Sequence, residues 1–189
     1  MNREALQKGL SKVAWAYIFL LLDIDFSIGR CTLDFLPNWA GYLILLSSIP
    51  LLELELRDLP LLRPFCRVLA VAEGIEWTAA LLTGQSFLRQ FLPVSAVWAC
   101  LAMYVTFQLL TDLACLSERE GIPAQGLLIC RNLDVILEAV MFFPFPWEDW
   151  IAAAVVLAIT GTIVCLIITV RLFTLRRRLG ERSAQAEHP

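Results

Sequence analysis

Residues 13–52 read VAWAYIFLLLDIDFSIGRCTLDFLPNWAGYLILLSSIPLL. Two apolar runs flank the connection RCTLDFLPN at residues 30–38, and the pattern predicts an apolar helical hairpin. Asp23 and Asp25 stand near its turn, in a place where a bilayer-spanning helix is expected to carry no charge. Acids recur at the same relative position in later apolar segments, as Glu73 with Glu76 and as Asp134 with Glu138.

Hydrophobic residues make up 59% of the 189 and charged residues 17%, against about 45–50% and about 25% in soluble domains. Mean hydropathy is +0.71. A chain of this composition is counted in spans of about 20 residues, and six such spans would use most of it. The expected fold is therefore all-α: a polytopic membrane protein made of one integral domain, a six-helix transmembrane bundle arranged as three successive hairpins. The net charge of -3 gives no reason to expect nucleic acid as a partner. The six cysteines show neither CxxC nor metal-type spacing, and most sit in or beside apolar segments as small hydrophobes. The only histidine is His188, which argues against His-dependent zinc or hydrolytic chemistry in the membrane. No metal and no cofactor is expected.

Helices are predicted over residues 13–28, 39–52, 65–82, 92–116, 126–143 and 150–173. Gly29 suits a left-handed cap after the first, and Asn38 suits the N-cap of the second. The charged link 53–64 holds two prolines and reads as a loop, and 174–189 reads as a frayed basic tail. Arg3, Lys8 and Lys12 precede the first run, but no small-x-small cleavage site follows, so that run is read as an uncleaved span. Lysine and arginine concentrate in the N-terminal lead, the 53–67 link, Arg119 and the tail, which predicts an inner-membrane protein with both termini cytoplasmic. Trp39, Trp77, Trp98, Trp147 and Trp150 then fall toward the outer interface.

In that topology the odd-numbered helices bring Asp23, Glu73, Glu76, Asp134 and Glu138 to middle or outer depth. Glu73 and Glu76 are three residues apart and Asp134 and Glu138 four, so each pair shares a helix face. Asp23 and Asp25 point to nearly opposite sides of a regular helix, and Asp23 is expected to be the buried one. Arg131 shares a stripe with Asp134 and Glu138, which predicts an ion-paired ladder. A charge at the bilayer centre costs at least about 2.5–3.5 kcal/mol, so unpaired acids there favour a proton or a cation over an anion. Trp77 beside Glu76 adds an aromatic face for cation–π contact. Asp112 is expected at the inner interface. Ala154, Ala158 and Gly161, with Gly41 and Ser48, are expected to pack helices closely.

The stretch Asp34-Phe-Leu-Pro37-Asn38-Trp-Ala-Gly41-Tyr42, following an acid-bearing first helix, resembles a D-x-L-P-[DN]-x-x-G-Y pattern of small bacterial multi-pass inner-membrane proteins. That resemblance implies an inner-membrane location and no particular activity. Size and topology are also similar to the substrate-binding subunits of energy-coupling-factor transporters, which implies a compact six-helix body with an outward pocket.

The leading expectation is a membrane protein that binds or transports a proton, a cation or a small cationic solute through Asp23, Glu73, Glu76, Trp77, Asp134 and Glu138. Its partners would be the bilayer, that cation and possible membrane proteins. The alternative is a non-catalytic scaffold or regulatory subunit of a larger membrane complex. An intramembrane enzyme is not expected, because there is no GxGD-like motif, no nucleophile elbow and no histidine in the apolar segments.

Overall fold

The computed structural model describes residues 3–21, 25–28, 31–34, 37–83, 91–143 and 149–187. Six α-helices dominate it: α1 (Arg3–Leu21), α2 (Asn38–Leu52), α3 (Leu62–Thr83), α4 (Leu92–Arg119), α5 (Gln125–Phe142) and α6 (Ile151–Glu187). A two-stranded antiparallel hairpin, β1 (Asp25–Ile28) with β2 (Cys31–Asp34), lies between α1 and α2 and against α3. Helices adjacent in sequence pack against one another, and α6 returns to α1, so the six form a closed ring.

The first helix differs from expectation at both ends. It does not run over residues 13–28, because it starts at Arg3 and Leu21 is its last residue. Leu6, Leu10, Val13, Ala14 and Tyr17 recur at helical spacing and are buried, while Glu4 and Lys8 pair at 2.6 Å on the exposed side. The supposed basic lead is thus the polar face of an amphipathic helix. Past Leu21 the apolar residues alternate with polar ones through Asp25-Phe-Ser-Ile28, a period of two that suits a strand rather than a helix. Ile28 pairs with Cys31 and Asp25 with Asp34, leaving two residues for the connection. Asp23 and the expected cap Gly29 lie outside the described residues.

The tail is also helical. Ile168, Leu172, Leu175 and Leu179 continue the buried stripe of α6, and Arg177 faces Glu181 at 3.6 Å on the outside. Trp15 of α1 meets Phe173 edge-on with ring centroids 6.2 Å apart, and a Cβ on Gly180 would stand 3.1 Å from the Gln7 amide. The beginning of α1 and the end of α6 therefore bury each other.

At this same end of the ring, the link after α2 forms turns and a 3-10 turn at Leu59–Leu61, with Leu52, Leu56, Leu59 and Leu62 buried. Arg63 bridges to Glu53, and Arg119 donates to the Glu55 carbonyl at 3.3 Å. Helix α4 stops at Gly121, whose φ of 66° is the left-handed conformation that glycine adopts without a Cβ penalty, and the Ile122 amide then bonds the Ser117 carbonyl at 2.8 Å. This tightly filled half is the closed end. Gly41 seats α2 on α1: a Cβ there would lie 2.9 Å from Leu20 Cγ and 3.2 Å from the Ala16 carbonyl oxygen.

Two helical segments, Pro93–Arg119 and Ile151–Glu181, are long and apolar enough to cross a membrane. The expectation of six such segments is met only in part, since α2 is shorter and α1, α3 and α5 carry charge. The placement of that charge matters more than its amount. On α3 the large apolar residues Val68, Val71, Ile75, Leu81 and Leu82 are exposed, with Arg67 near the start and Thr78 among them, while Glu73 and Glu76 are each 7% exposed. On α5, Ile129, Leu133 and Ile136 are exposed and Asp134 is buried. Both helices thus turn an aliphatic face outward and bury acids, the sense opposite to that of a protein in water, although on α5 Asn132 is exposed as well and Glu138 is exposed at the cavity described below. The expected close packing along α6 is absent at Ala158, which is exposed, and at Gly161, where an added Cβ would meet nothing within 4 Å.

Candidate functional site: an acid-lined cavity at the open end

The half of the ring away from the closed end holds a cavity of about 340 Å³. Five helices line it. Leu20 comes from the end of α1, Asn38 and Tyr42 from the start of α2, and Trp98, Ala102 and Thr106 from the first half of α4. The acids are Glu73 and Glu76 from α3 and Glu138 from α5, and no lysine or arginine is among the described lining residues. Phe142 adds a second aromatic wall.

Local helix geometry explains how the acids arrive there. The three-residue step from Glu73 to Glu76 keeps both on the inward face of α3, whose opposite face is aliphatic. The Trp98 indole donates from α4 to Glu73 Oε1 at 2.9 Å, a hydrogen bond to a charged group that ties α3 to α4 across the cavity. Tyr42 is buried beside them, and the short side chains of Ala99 and Ala102 leave the space that the cavity occupies. Asn38 is the first residue of α2 rather than its cap: Pro37 holds the capping position, and the Asn38 amide oxygen is buried without a hydrogen bond.

Behind the cavity lies a second group. Asp134 of α5 is buried and accepts a contact from the Cys165 thiol of α6 at 3.3 Å. The buried Tyr17 hydroxyl of α1 makes no well-formed hydrogen bond and has Asp134, Glu138 and Thr106 among its polar neighbours. Thr106 and Glu138 belong to both groups, so they join the cavity to Asp134.

The structure brings together Glu73, Glu76 and Glu138, sets Asp134 one layer behind them, and places Trp77 elsewhere. Trp77 meets Trp39 with ring centroids 6.2 Å apart, outside the cavity lining. Trp98 supplies the indole instead; its depth on α4 marked it only as an interface residue in the sequence. The predicted ladder of Arg131 with Asp134 and Glu138 does not form. Arg131 donates to Thr111 at 2.7 Å and to Asn132, and its guanidinium lies 4.1 Å from the centre of the Phe107 ring. The reason is directional: helical side chains lean toward the N-terminus, so Arg131 reaches back toward the start of α5 and away from acids that follow it. Asp112 is buried, with one carboxylate oxygen accepting from Gln108 at 2.8 Å and the other without a partner.

Among the described residues no group of three His, Cys, Asp or Glu side chains gathers in a way that could hold a metal ion. A cavity of this size and lining can receive a small cation or exchange protons. No protein-family model, curated protein or solved structure matches the chain.

Proposed function

We propose that the chain is an integral membrane protein whose six helices sit in the bilayer, and that it binds a proton, a cation or a small cationic solute in the cavity lined by Glu73, Glu76 and Glu138. The observation that carries this reading is the inverted amphipathicity of α3 and α5. A soluble protein would not turn Val68, Val71 and Ile75 to solvent and bury Glu73 and Glu76 on the same helix. In a bilayer that arrangement is the favourable one, since the aliphatic face meets lipid and the acids avoid it. It also accounts for the failure of α3 and α5 to register as apolar spans, because their acids count against them wherever they point. The clustering of arginine and lysine at the closed end supports an orientation with that end and both termini in the cytoplasm of a bacterial cell. The cavity is then in the outer half.

Converging carboxylates with aromatic walls match a cation in charge and polarisability. Glu138 is the acid best placed to answer for the ligand: it is exposed at the cavity and makes no hydrogen bond or ion pair in the described structure. The test is thermal unfolding of the detergent-purified chain against a panel of inorganic and organic cations at pH 8 and pH 5. A ligand at a hundredfold excess over its Kd adds about 2.7 kcal/mol of stability. The effect is expected at pH 8 and is lost at pH 5 and in Glu138→Gln. Indifference to every cation at both pH values refutes the binding reading.

A second reading, a scaffold or regulatory subunit, is favoured by the exposed Ala158 and by Gly161, where an added Cβ would meet nothing within 4 Å, on a face of α6 that a neighbouring helix could cover. It predicts full function in Glu138→Gln and loss of function when Gly161 is enlarged.

A further inference from the structure

A second cavity, of about 450 Å³, lies near the closed end between α6, the start of α5 and the turn that follows α4. Its α6 wall is graded along the helix. Ile163, Ile167, Arg171, Thr174 and Arg178 follow one another at steps of three and four residues, and Val170 stands three after Ile167 and four before Thr174, so all six share one face. Over 15 residues, about 22 Å of helix, that face changes from wholly aliphatic to doubly cationic. The three aliphatic residues are all more than 40% exposed. Among the described residues, neither Arg171 nor Arg178 has a carboxylate within 4.0 Å.

The seat of Arg171 is specific. Its guanidinium lies over Gly126, in the first turn of α5, where any Cβ would collide with it. The cap residue of α5, Ala124, offers no side-chain hydrogen bond, and Gly126 beneath the guanidinium lies in the first turn of that helix. Arg171 and Arg178 therefore stand together, with no carboxylate paired to either among the described residues, at the edge of an apolar trough.

We infer that this cavity binds the phosphate headgroup of an anionic phospholipid at Arg171 and Arg178, with an acyl chain lying along Ile163, Ile167 and Val170. The two halves of the cavity match the two halves of such a lipid in charge and polarity. In the proposed orientation the arginines stand at the cytoplasmic interface, where basic clusters meet anionic headgroups. A free phosphate would use the arginines but not the aliphatic trough, which decides for the lipid. The inference requires that the chain sits in a bilayer and does not depend on a cation in the outer cavity.

The test is native mass spectrometry of the full chain in mild detergent, titrated with dioleoyl phosphatidylglycerol or dioleoyl phosphatidylcholine, with thermal unfolding in inorganic phosphate alongside. Phosphatidylglycerol is expected to bind at least tenfold more tightly than phosphatidylcholine. That preference should vanish in the pair Arg171→Gln with Arg178→Gln, and persist in the pair Arg176→Gln with Arg177→Gln, which removes the same charge outside the cavity. Ile167→Trp, which fills the trough without altering charge, should weaken phosphatidylglycerol binding even if the arginine pair fails to fold. Equal affinity for the two lipids, equal loss in both arginine pairs, or stabilisation by inorganic phosphate matching that by phosphatidylglycerol would each overturn the proposal.

Discussion

Leu179 stands in a stretch whose composition, LRRRLGERSAQAE, reads as a solvated tail, yet it is 4% exposed at the junction of α6 with α1. Truncation to alanine separates the two descriptions. At the closed end the surroundings are aqueous in the proposed orientation, so burial there has its full value in water, unlike burial against lipid. Removing a buried leucine costs about 2–5 kcal/mol once the residual cavity is included. The lower half of that range is expected for Leu179→Ala, because it lies about two turns from the end of a helix that can partly relax. A loss of about 2–3 kcal/mol moves the midpoint of a chain this long by roughly 5–10 °C. Thermal unfolding followed by a thiol-reactive dye reads it directly, since Cys66 and Cys130 are buried and become reactive on unfolding. The control is Arg177→Ala, whose side chain is 73% exposed and whose pair with Glu181 is a surface one. If Leu179→Ala unfolds within 1 °C of the control, α6 does not continue as a packed helix past the membrane, and the single face that aligns Arg171, Thr174 and Arg178 goes with it.

Gly41→Val should cost about 1–3 kcal/mol, because its Cβ would intrude on Leu20 and the Ala16 carbonyl, whereas Gly161→Val should leave the folded fraction in size-exclusion chromatography unchanged. Equal effects would show that α2 does not seat on α1 through Gly41. A double-mutant cycle of Arg131→Gln with Glu138→Gln is expected to show coupling below about 0.5 kcal/mol in thermal unfolding. Larger coupling would restore the ion-paired ladder and take Glu138 out of the proposed binding set.

Much of the architecture is legible along the chain. Helix α2 begins and ends within a residue of the expected limits, because Pro37 and the charged link after Leu52 punctuate a run without charged residues. The stop of α4 is equally local, since Gly121 is the residue that a left-handed cap requires. The extent of α1 was encoded too, in the spacing of Leu6, Leu10, Val13 and Tyr17, but the lysines between them dominate a reading based on hydropathy. The strand at Asp25–Ile28 escaped for a related reason: four residues of alternation are too short to compete with the apolar run that leads into them.

The acids divide in the same way. Spacing alone put Glu73 with Glu76 and Asp134 with Glu138 on shared faces, because i,i+3 and i,i+4 neighbours meet on any α-helix. Nothing local says which way each face turns, whether Trp77 or Trp98 reaches the carboxylates, or that Arg131 leans back to Thr111 and Phe107. Those depend on how α3, α4 and α5 rotate against one another in the ring, and that rotation is settled by packing among residues far apart in sequence. The chain by itself determined six helices, an apolar surplus suited to a bilayer and a recurrent set of acids, since composition and periodicity are properties of single segments. Only the tertiary structure decided that three of those acids share one cavity and that two arginines share another, because convergence is a property of the ring and of no helix within it.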